Sequence, residues 1–170
     1  QGLGIGLVDL EAVVKGTPSG AYAIDAKGGT DYGPFTANVL IETANRLAVE
    51  IRAARFAGMD ITGRIQQTAA GPFEGRVDFS GSGVNGNARL SAQGELQRAD
   101  FDARATNAQI PGMAALSIGR AIVTGSVVLA DTPEIVADAQ VAALRSGAFT
   151  VKTARVKVNY KGSNGTAQAY

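Results

Sequence analysis

Residues 81–94, GSGVNGNARLSAQG, contain the spacing G-x-G-x-x-G that is typical of dinucleotide-binding loops. Such a loop requires a helix to begin at its third glycine, because the helix N-terminus holds the pyrophosphate. The residues after Gly86 instead alternate strictly between polar and apolar side chains. This period of two indicates a half-buried β-strand. The stretch therefore predicts strands and a turn rather than a cofactor site.

An Asn-Gly pair at residues 85–86 is the strongest hairpin signal in this stretch, since a type I′ turn needs positive φ at both central residues. A hairpin about this turn sets Phe79 opposite Ala92, and Arg76 opposite Glu95 as an opposite-charge pair. Large side chains then meet small ones on one face. A one-residue slip would mix the two faces, so the pattern predicts one apolar and one polar face.

The same alternation continues along the chain. A second hairpin is predicted about residues 43–45, with Val39 opposite Val49 and Ile41 opposite Leu47. Further strands are expected at residues 3–15, 21–27, 59–67, 99–105, 120–129, 134–143, 148–151 and 154–161. Clusters of Gly, Pro and Asn separate them, so about ten strands with regular turns predict an all-β chain.

Two places depart from the simple alternation. The phase of the pattern changes between Val151 and Val156, which predicts a bulge or a strand break near Thr153. The run GMAALSIG at residues 112–119 is the best candidate for a short helix.

Composition limits the chemistry that is open to the chain. Its 170 residues include no His, Cys or Trp, which excludes a thiol nucleophile, a serine–histidine relay and the usual zinc sites. Lys and Arg number 16 against 15 Asp and Glu, so there is no broad electrostatic reason to expect nucleic acid as a partner. The acids mostly alternate with polar residues on exposed strand faces. We therefore expect no enzyme activity, no cofactor and no metal.

The apolar face is poor in volume for a protein core. The chain is 45% apolar, yet 22 of its residues are glycine and alanine is frequent. A sandwich core near crystal density normally needs more bulk. Two interpretations follow: a β-sandwich or β-solenoid whose glycines permit close packing, or a curved sheet whose apolar face is covered by something other than protein.

Three long segments resemble a known family. They are GPFEGRVDFSGSGVNGNARLSAQGELQRADFDARATNAQIPG at residues 71–112, IGRAIVTGSVVLADTPEIVADAQVAALRSG at residues 118–147 and ARVKVNYKGSNGTAQA at residues 154–169. Their repeated hairpins and short polar turns resemble translocation and assembly module B (TamB) proteins of the AsmA-like superfamily of diderm bacteria. The markers are soft patterns rather than an invariant motif.

The resemblance implies both an architecture and a function. Members of this family are anchored in the inner membrane and cross the periplasm as a long, taco-like β-groove with an apolar interior. They are thought to conduct phospholipids toward the outer membrane, and some act with an outer-membrane barrel partner of the TamA/BamA type in inserting other barrel proteins. Residues 1–170 would then be one β-rich section of a longer periplasmic protein, with open strand edges that permit self-association.

On this interpretation phospholipid acyl chains contact a defined set of inward side chains. The residues expected to line the groove are Phe35, Val39, Ile41, Leu47, Val49, Ile51, Val77, Phe79, Leu90, Val127, Ile135, Val141, Val156 and Val158. For each of them, ordinary core packing is the alternative role.

Other functions remain open at this point. The main alternative is a structural or adhesive extracellular β-solenoid or sandwich without lipid transport, although no fixed repeat occurs. An outer-membrane barrel is disfavoured by an aromatic content of 6%. Basic residues crowd the C-terminal part of the chain and predict a solvated strand face, with phosphate head groups or an acidic partner as the alternative. They are Lys152, Arg155, Lys157 and Lys161.

Overall fold

Twelve antiparallel strands form one continuous sheet in the computed structural model, which describes residues 7–30, 33–109, 116–161 and 164–170. The strands are β1 (Leu7–Gly16), β2 (Tyr22–Thr30), β3 (Gly33–Glu42), β4 (Ala48–Phe56), β5 (Met59–Gln67), β6 (Phe73–Gly81), β7 (Val84–Gln93), β8 (Leu96–Gln109), β9 (Leu116–Leu129), β10 (Glu134–Ser146), β11 (Phe149–Lys161) and β12 (Asn164–Ala169). They lie side by side in chain order, and β1 and β12 are the open edges. The sheet is curved into an open groove, which confirms the predicted all-β architecture.

The alternative architectures do not occur in the described ranges. A sandwich needs a second sheet and a solenoid needs stacked coils, whereas each strand here pairs only with its neighbours in sequence. The helical interpretation of residues 112–119 is wrong for its second half, because Leu116–Gly119 begins β9. Residues 112–115 lie outside the described part of the chain.

The two margins of the sheet differ in their connections. On one side, three connections of five residues each join β1 to β2, β3 to β4 and β5 to β6, and a two-residue turn at residues 94–95 joins β7 to β8; we call this side the loop margin. On the other side, two-residue turns at residues 57–58, 82–83 and 147–148 join consecutive strands; we call this side the turn margin. At residues 82–83, Ser82 has φ 53° and Gly83 has φ 79°, the positive values that a type I′ hairpin turn requires.

The predicted turn at residues 85–86 is wrong, since the chain reverses three residues earlier. Phe79 pairs with Gly86 instead of Ala92, and Arg76 stands opposite Arg89 instead of Glu95. The displacement changes each pairing by an even number of residues, so both faces keep their predicted members. Like charges directly opposite are unfavourable, and Arg76 is compensated within its own strand by Asp78 at 2.6 Å.

The second hairpin is also displaced along the chain. Val39 pairs with Ile51 and Ile41 with Val49, so the connection spans residues 43–47 and Leu47 lies outside the strands. The carbonyl oxygen of Leu47 accepts a hydrogen bond from the backbone N–H of Gln67 at 2.7 Å. Because that bond ties the loop to β5, contact with a third strand decides where the turn falls.

The predicted bulge near Thr153 is absent, because β11 is continuous and its register with β10 does not shift. Val151 pairs with Leu144, and Ala154 pairs with Val141. In both strands the alternation of apolar and polar side chains shifts by one residue at the same place. There Ala143 has a positive φ of 55°, and the pair between residues 143 and 152 is missing from the ladder. The phase change in the sequence is therefore real, but two strands share it.

Candidate functional site

The apolar face consists of cross-strand rows that run perpendicular to the strands. The middle row takes one residue from every strand, in the order Val14, Ile24, Val39, Ile51, Gly63, Val77, Ala88, Phe101, Gly125, Ala137, Val158 and Ala167. No side chain in this row carries a polar atom. Strands in a sheet are spaced by about 4.8 Å, so the row is about 50 Å long.

Parallel rows flank the middle row on both sides. On the side of the loop margin the adjacent row is Gly16, Tyr22, Ile41, Val49, Ile65, Gly75, Leu90, Ala99, Val127, Ile135, Tyr160 and Gly165. On the side of the turn margin it is Ala12, Ala26, Ala37, Ala54, Ile61, Phe79, Gly86, Ala103, Val123, Ala139, Val156 and Ala169. Two tyrosine hydroxyls are the polar groups of these rows, and the surface is otherwise a continuous aliphatic and aromatic wall.

The strand register places thirteen of the fourteen predicted lining residues on this face. Eleven belong to the three rows. Phe35 and Val141 lie in the next row toward the turn margin, two residues from Ala37 and Ala139 on their own strands. Leu47 is the exception, because it lies in the connection between β3 and β4 and does not stand opposite Ile41.

Sequence reasoning missed other members of the same face. Ile24, Ile61, Ile65, Phe101 and Val123 lie in the rows and are partly buried. Each of them alternates in phase with another apolar residue or a glycine on its own strand. The period of two was therefore a signal that could have found them.

Some aromatic rings on the apolar face stand opposite a glycine on the next strand. A Cβ atom added to Gly125 would lie 2.5 Å from the ring of Phe101, and one added to Gly165 would lie 2.6 Å from the ring of Tyr160. The rings therefore occupy the space that a side chain on each glycine would need. Glycines in strands permit the sheet to curve, and a neighbouring aromatic ring covers the backbone that the missing side chain leaves exposed.

In the described residues no further layer of protein covers the apolar face. No large side chain is fully buried, and most members of the rows are only partly buried. The buried residues are Ala21, Leu40, Ala48, Ala105, Ala108, Ala121 and Val128. The two largest of these, Leu40 and Val128, stand opposite Glu50 and Glu134 on the polar face. The apolar rows are thus a surface and not the core of a sandwich.

The polar face carries exposed ion pairs. Arg98 donates to Asp100 at 2.7 Å, and Arg155 donates to Asp138 at 2.7 Å. These hydrogen bonds hold the pKa of Asp100 and the pKa of Asp138 below their ordinary values. Exposed pairs of this kind contribute little to stability, but they keep the outer face hydrated.

Side chains that could bind a metal ion do not cluster in the described ranges. No group of three His, Cys, Asp or Glu side chains is placed to hold a metal ion there. The same ranges contain no buried side-chain nitrogen or oxygen without a hydrogen-bond partner. The apolar face is therefore the candidate functional surface.

Two of the four predicted basic residues on β11 are paired with acids, whereas Lys152 and Lys157 take part in none of the ion pairs of the described residues. Arg155 is paired with Asp138, and the Lys161 Nζ lies 2.7 Å from a Glu134 carboxylate oxygen. The hydrogen bond to Glu134 raises the pKa of Lys161. This part of the chain is accordingly a solvated strand face with cross-strand pairing.

Comparisons with protein-family models, with curated proteins and with solved structures gave no match to this chain. The described residues contain no helix that is long and apolar enough to cross a membrane.

Proposed function

We propose that this chain is a section of a hydrophobic β-groove that conducts phospholipids between the inner and outer membranes of a diderm envelope. The middle row of the apolar face carries the proposal, because it crosses all twelve strands without a polar side chain. The resemblance to translocation and assembly module B proteins supports the same function.

The dimensions of the face suit a path and not a pocket. A bilayer leaflet has an apolar thickness of about 15 Å, half of the usual hydrocarbon core. The rows are about three times as long. A lipid tail on this face would contact only part of the groove at a time, so it could move along the rows.

Acyl chains would be held by the hydrophobic effect alone. Each methylene withdrawn from water contributes about 0.8 kcal/mol, and the aliphatic wall can bury methylenes at every point along its length. A deep specific site would trap the lipid, whereas similar rows of Val, Ile, Ala and Gly give a nearly level free-energy profile. The head group stays in water at the open side of the groove.

The wider setting follows from the proposed family. The section would lie in the periplasm, as part of a protein that is anchored in the inner membrane and reaches toward the outer membrane. An outer-membrane barrel protein of the TamA/BamA type would be its partner, and support for outer-membrane protein assembly would be a related role. The open edges β1 and β12 would pair with further strands or with a second copy.

Site-specific photo-crosslinking in bacteria fed labelled phosphate tests the proposal. A crosslinking amino acid is placed at Val39, Val77 or Val158, which lie in the middle row on β3, β6 and β11. The matched controls are adjacent residues, which alternate onto the polar face: Asn38, Asp78 and Lys157. We expect labelled phospholipid on the three row positions and none on the controls.

Absence of label at all six positions would overturn lipid transport and favour the structural or adhesive alternative. Equal label on both faces would show adsorption of lipid without a groove. Label at β3 and β6 but not at β11 would show a local pocket, which also contradicts a continuous path.

A further inference from the structure

A group of unpaired cations lies near the turn margin of β8–β11. Its members are Arg104, Arg120, Arg145 and Lys152, which we call the basic patch. All four side chains are exposed. Among the ion pairs of the described residues, none involves a member of this group.

No acidic residue in the described ranges is paired with the patch, and the acid nearest to it on β8 is Asp102, two residues from Arg104. Residues 103–109, 116–123, 139–146 and 149–156, which form the turn-margin ends of these strands, contain no Asp or Glu. Asp102 and Asp138, the nearest acids along β8 and β10, lie toward the middle of the sheet, and Asp138 is already paired. The turn-margin end of this half of the sheet is therefore electropositive although the whole chain is nearly neutral.

The register places the three arginines of the patch on the polar face. Arg104 stands opposite Ile122, and Arg120 stands opposite Ala142 on β10. Arg145 stands between Ser117 and Thr150. The cations extend over four adjacent strands, which is about 14 Å. That width exceeds a single phosphate and corresponds to several neighbouring anionic groups.

Exposed apolar side chains accompany the cations. Phe149 begins β11 directly after the turn at residues 147–148, and 66% of it is exposed. Ile122, opposite Arg104 on the polar face, is 40% exposed. Phe149 precedes Thr150, the partner of Arg145 on the polar face, so its ring lies on the other face at the margin of the sheet. A bilayer that meets this margin end-on would contact both, because the ring enters the head-group region while the cations meet phosphates.

We propose that the basic patch and Phe149 dock this corner of the sheet on the surface of an anionic lipid bilayer. An acidic protein would satisfy the cations, but it would not account for an exposed phenylalanine at the extreme margin of the sheet. The inference does not rest on the proposed transport function, since surface docking requires no lipid in the groove.

Flotation with phospholipid vesicles tests the docking. The intact chain is mixed with vesicles of phosphatidylcholine alone or with 30% phosphatidylglycerol, and the bound fraction is measured at low and at high salt. We expect binding only to the anionic vesicles and weaker binding at high salt. Each cation near an anionic surface contributes about fivefold in affinity, so Arg145→Gln with Lys152→Gln should weaken binding about 25-fold.

The matched control is Arg52→Gln with Arg89→Gln, which removes two exposed cations outside the patch. The control should bind like the parent chain, whereas Phe149→Ser should weaken binding while leaving its salt dependence in place. Circular dichroism of each variant confirms that the sheet is formed.

No binding of the parent chain to anionic vesicles overturns the inference, and so does equal weakening by the patch and control variants. Vesicle docking without acyl crosslinks in the groove would retain this inference and reject transport. Acyl crosslinks without docking would do the reverse.

Discussion

Phe79 on β6 stands directly opposite Gly86 on β7, and a Cβ atom added to Gly86 would lie 2.8 Å from the Cζ atom of Phe79. The same Cβ would meet the backbone oxygen of Asp102 and lie 2.8 Å from the Cα of Ala103. The glycine is therefore needed both by the aromatic ring and by the close approach of β8. This pair holds the hairpin in a register that turns at residues 82–83.

The first prediction concerns this pair. Gly86→Ala should destabilise the sheet by about 1–3 kcal/mol, the usual effect of an overpacked position. The backbone of β8 could make room for the new Cβ only by breaking hydrogen bonds to its neighbouring strands. Gly165→Ala is the matched change, since its Cβ would meet only the ring of Tyr160. That ring can rotate, so the loss should be below about 1 kcal/mol. Urea unfolding of both variants measures the difference, and equal losses would contradict the explanation.

The second prediction tests whether the apolar face is uncovered. Ala137 lies in the middle row between Gly125 and Val158. Ala137→Asn should destabilise the fold by less than about 1 kcal/mol, because the amide remains in contact with water. A buried amide without partners would instead cost about 3 kcal/mol. Thr124→Asn on the polar face is the control. A large loss at Ala137 alone would indicate a covering layer.

The third prediction concerns where stability resides. Leu40 is 9% exposed on the polar face, whereas its neighbour Val39 is only partly buried in the middle row. Leu40→Ala should lower the free energy of unfolding by about 2–3 kcal/mol and Val39→Ala by about 1 kcal/mol. Chemical denaturation of the two variants provides the comparison. The reverse order would show that the apolar face acts as an ordinary core.

The fourth prediction is a pH dependence. Arg155 holds the pKa of Asp138 below its ordinary value. A carboxyl with a lower pKa in the folded chain stabilises the fold above its unfolded pKa, and this contribution is lost as pH falls through the folded value. Asp138→Asn should therefore lower the melting temperature slightly at pH 7, and the difference should begin to shrink as the pH falls below about 4 and disappear below the folded pKa of Asp138. A difference that persists at low pH would contradict the role of this ion pair.

A control for the pH experiment is available in the connection between β9 and β10. Asp131 is exposed and takes part in none of the ion pairs of the described residues. Asp131→Asn should leave the melting temperature unchanged at both pH values.

The fifth prediction concerns the open edge of β1. Leu10, Val13 and Val14 are each more than half exposed on this strand, and an unpaired edge is a template for pairing. The chain should associate as its concentration rises, and Val13→Lys should shift the association midpoint to at least about tenfold higher concentration, as expected for a charge that blocks edge pairing. Sedimentation velocity measures the shift. A parent chain that stays monomeric at all concentrations would reject edge pairing.

The members of the two faces could be predicted from the sequence because side chains alternate along any strand, whatever its partner. Val77 and Phe79 share a face for this reason, and so do Val156 and Val158. When a turn moves so that each pairing changes by an even number of residues, every residue keeps its face. The apolar face was therefore predicted correctly, although both predicted hairpins turn at other residues. Of the basic patch only Lys152 was predicted from the sequence, because Arg104, Arg120 and Arg145 come from three other strands and meet it only through the pairing of the strands.

The sequence by itself determined that this chain forms strands with one apolar and one polar face, since a period of two is a local property of the backbone. Only the tertiary structure decided where the hairpins turn, because each inner strand must satisfy two neighbours at once, as Gly86 does between Phe79 and β8. It also decided that the apolar face is open. The same alternation would serve a sandwich, and only the pairing of all twelve strands in one sheet leaves this face without a second layer among the residues that the structure describes.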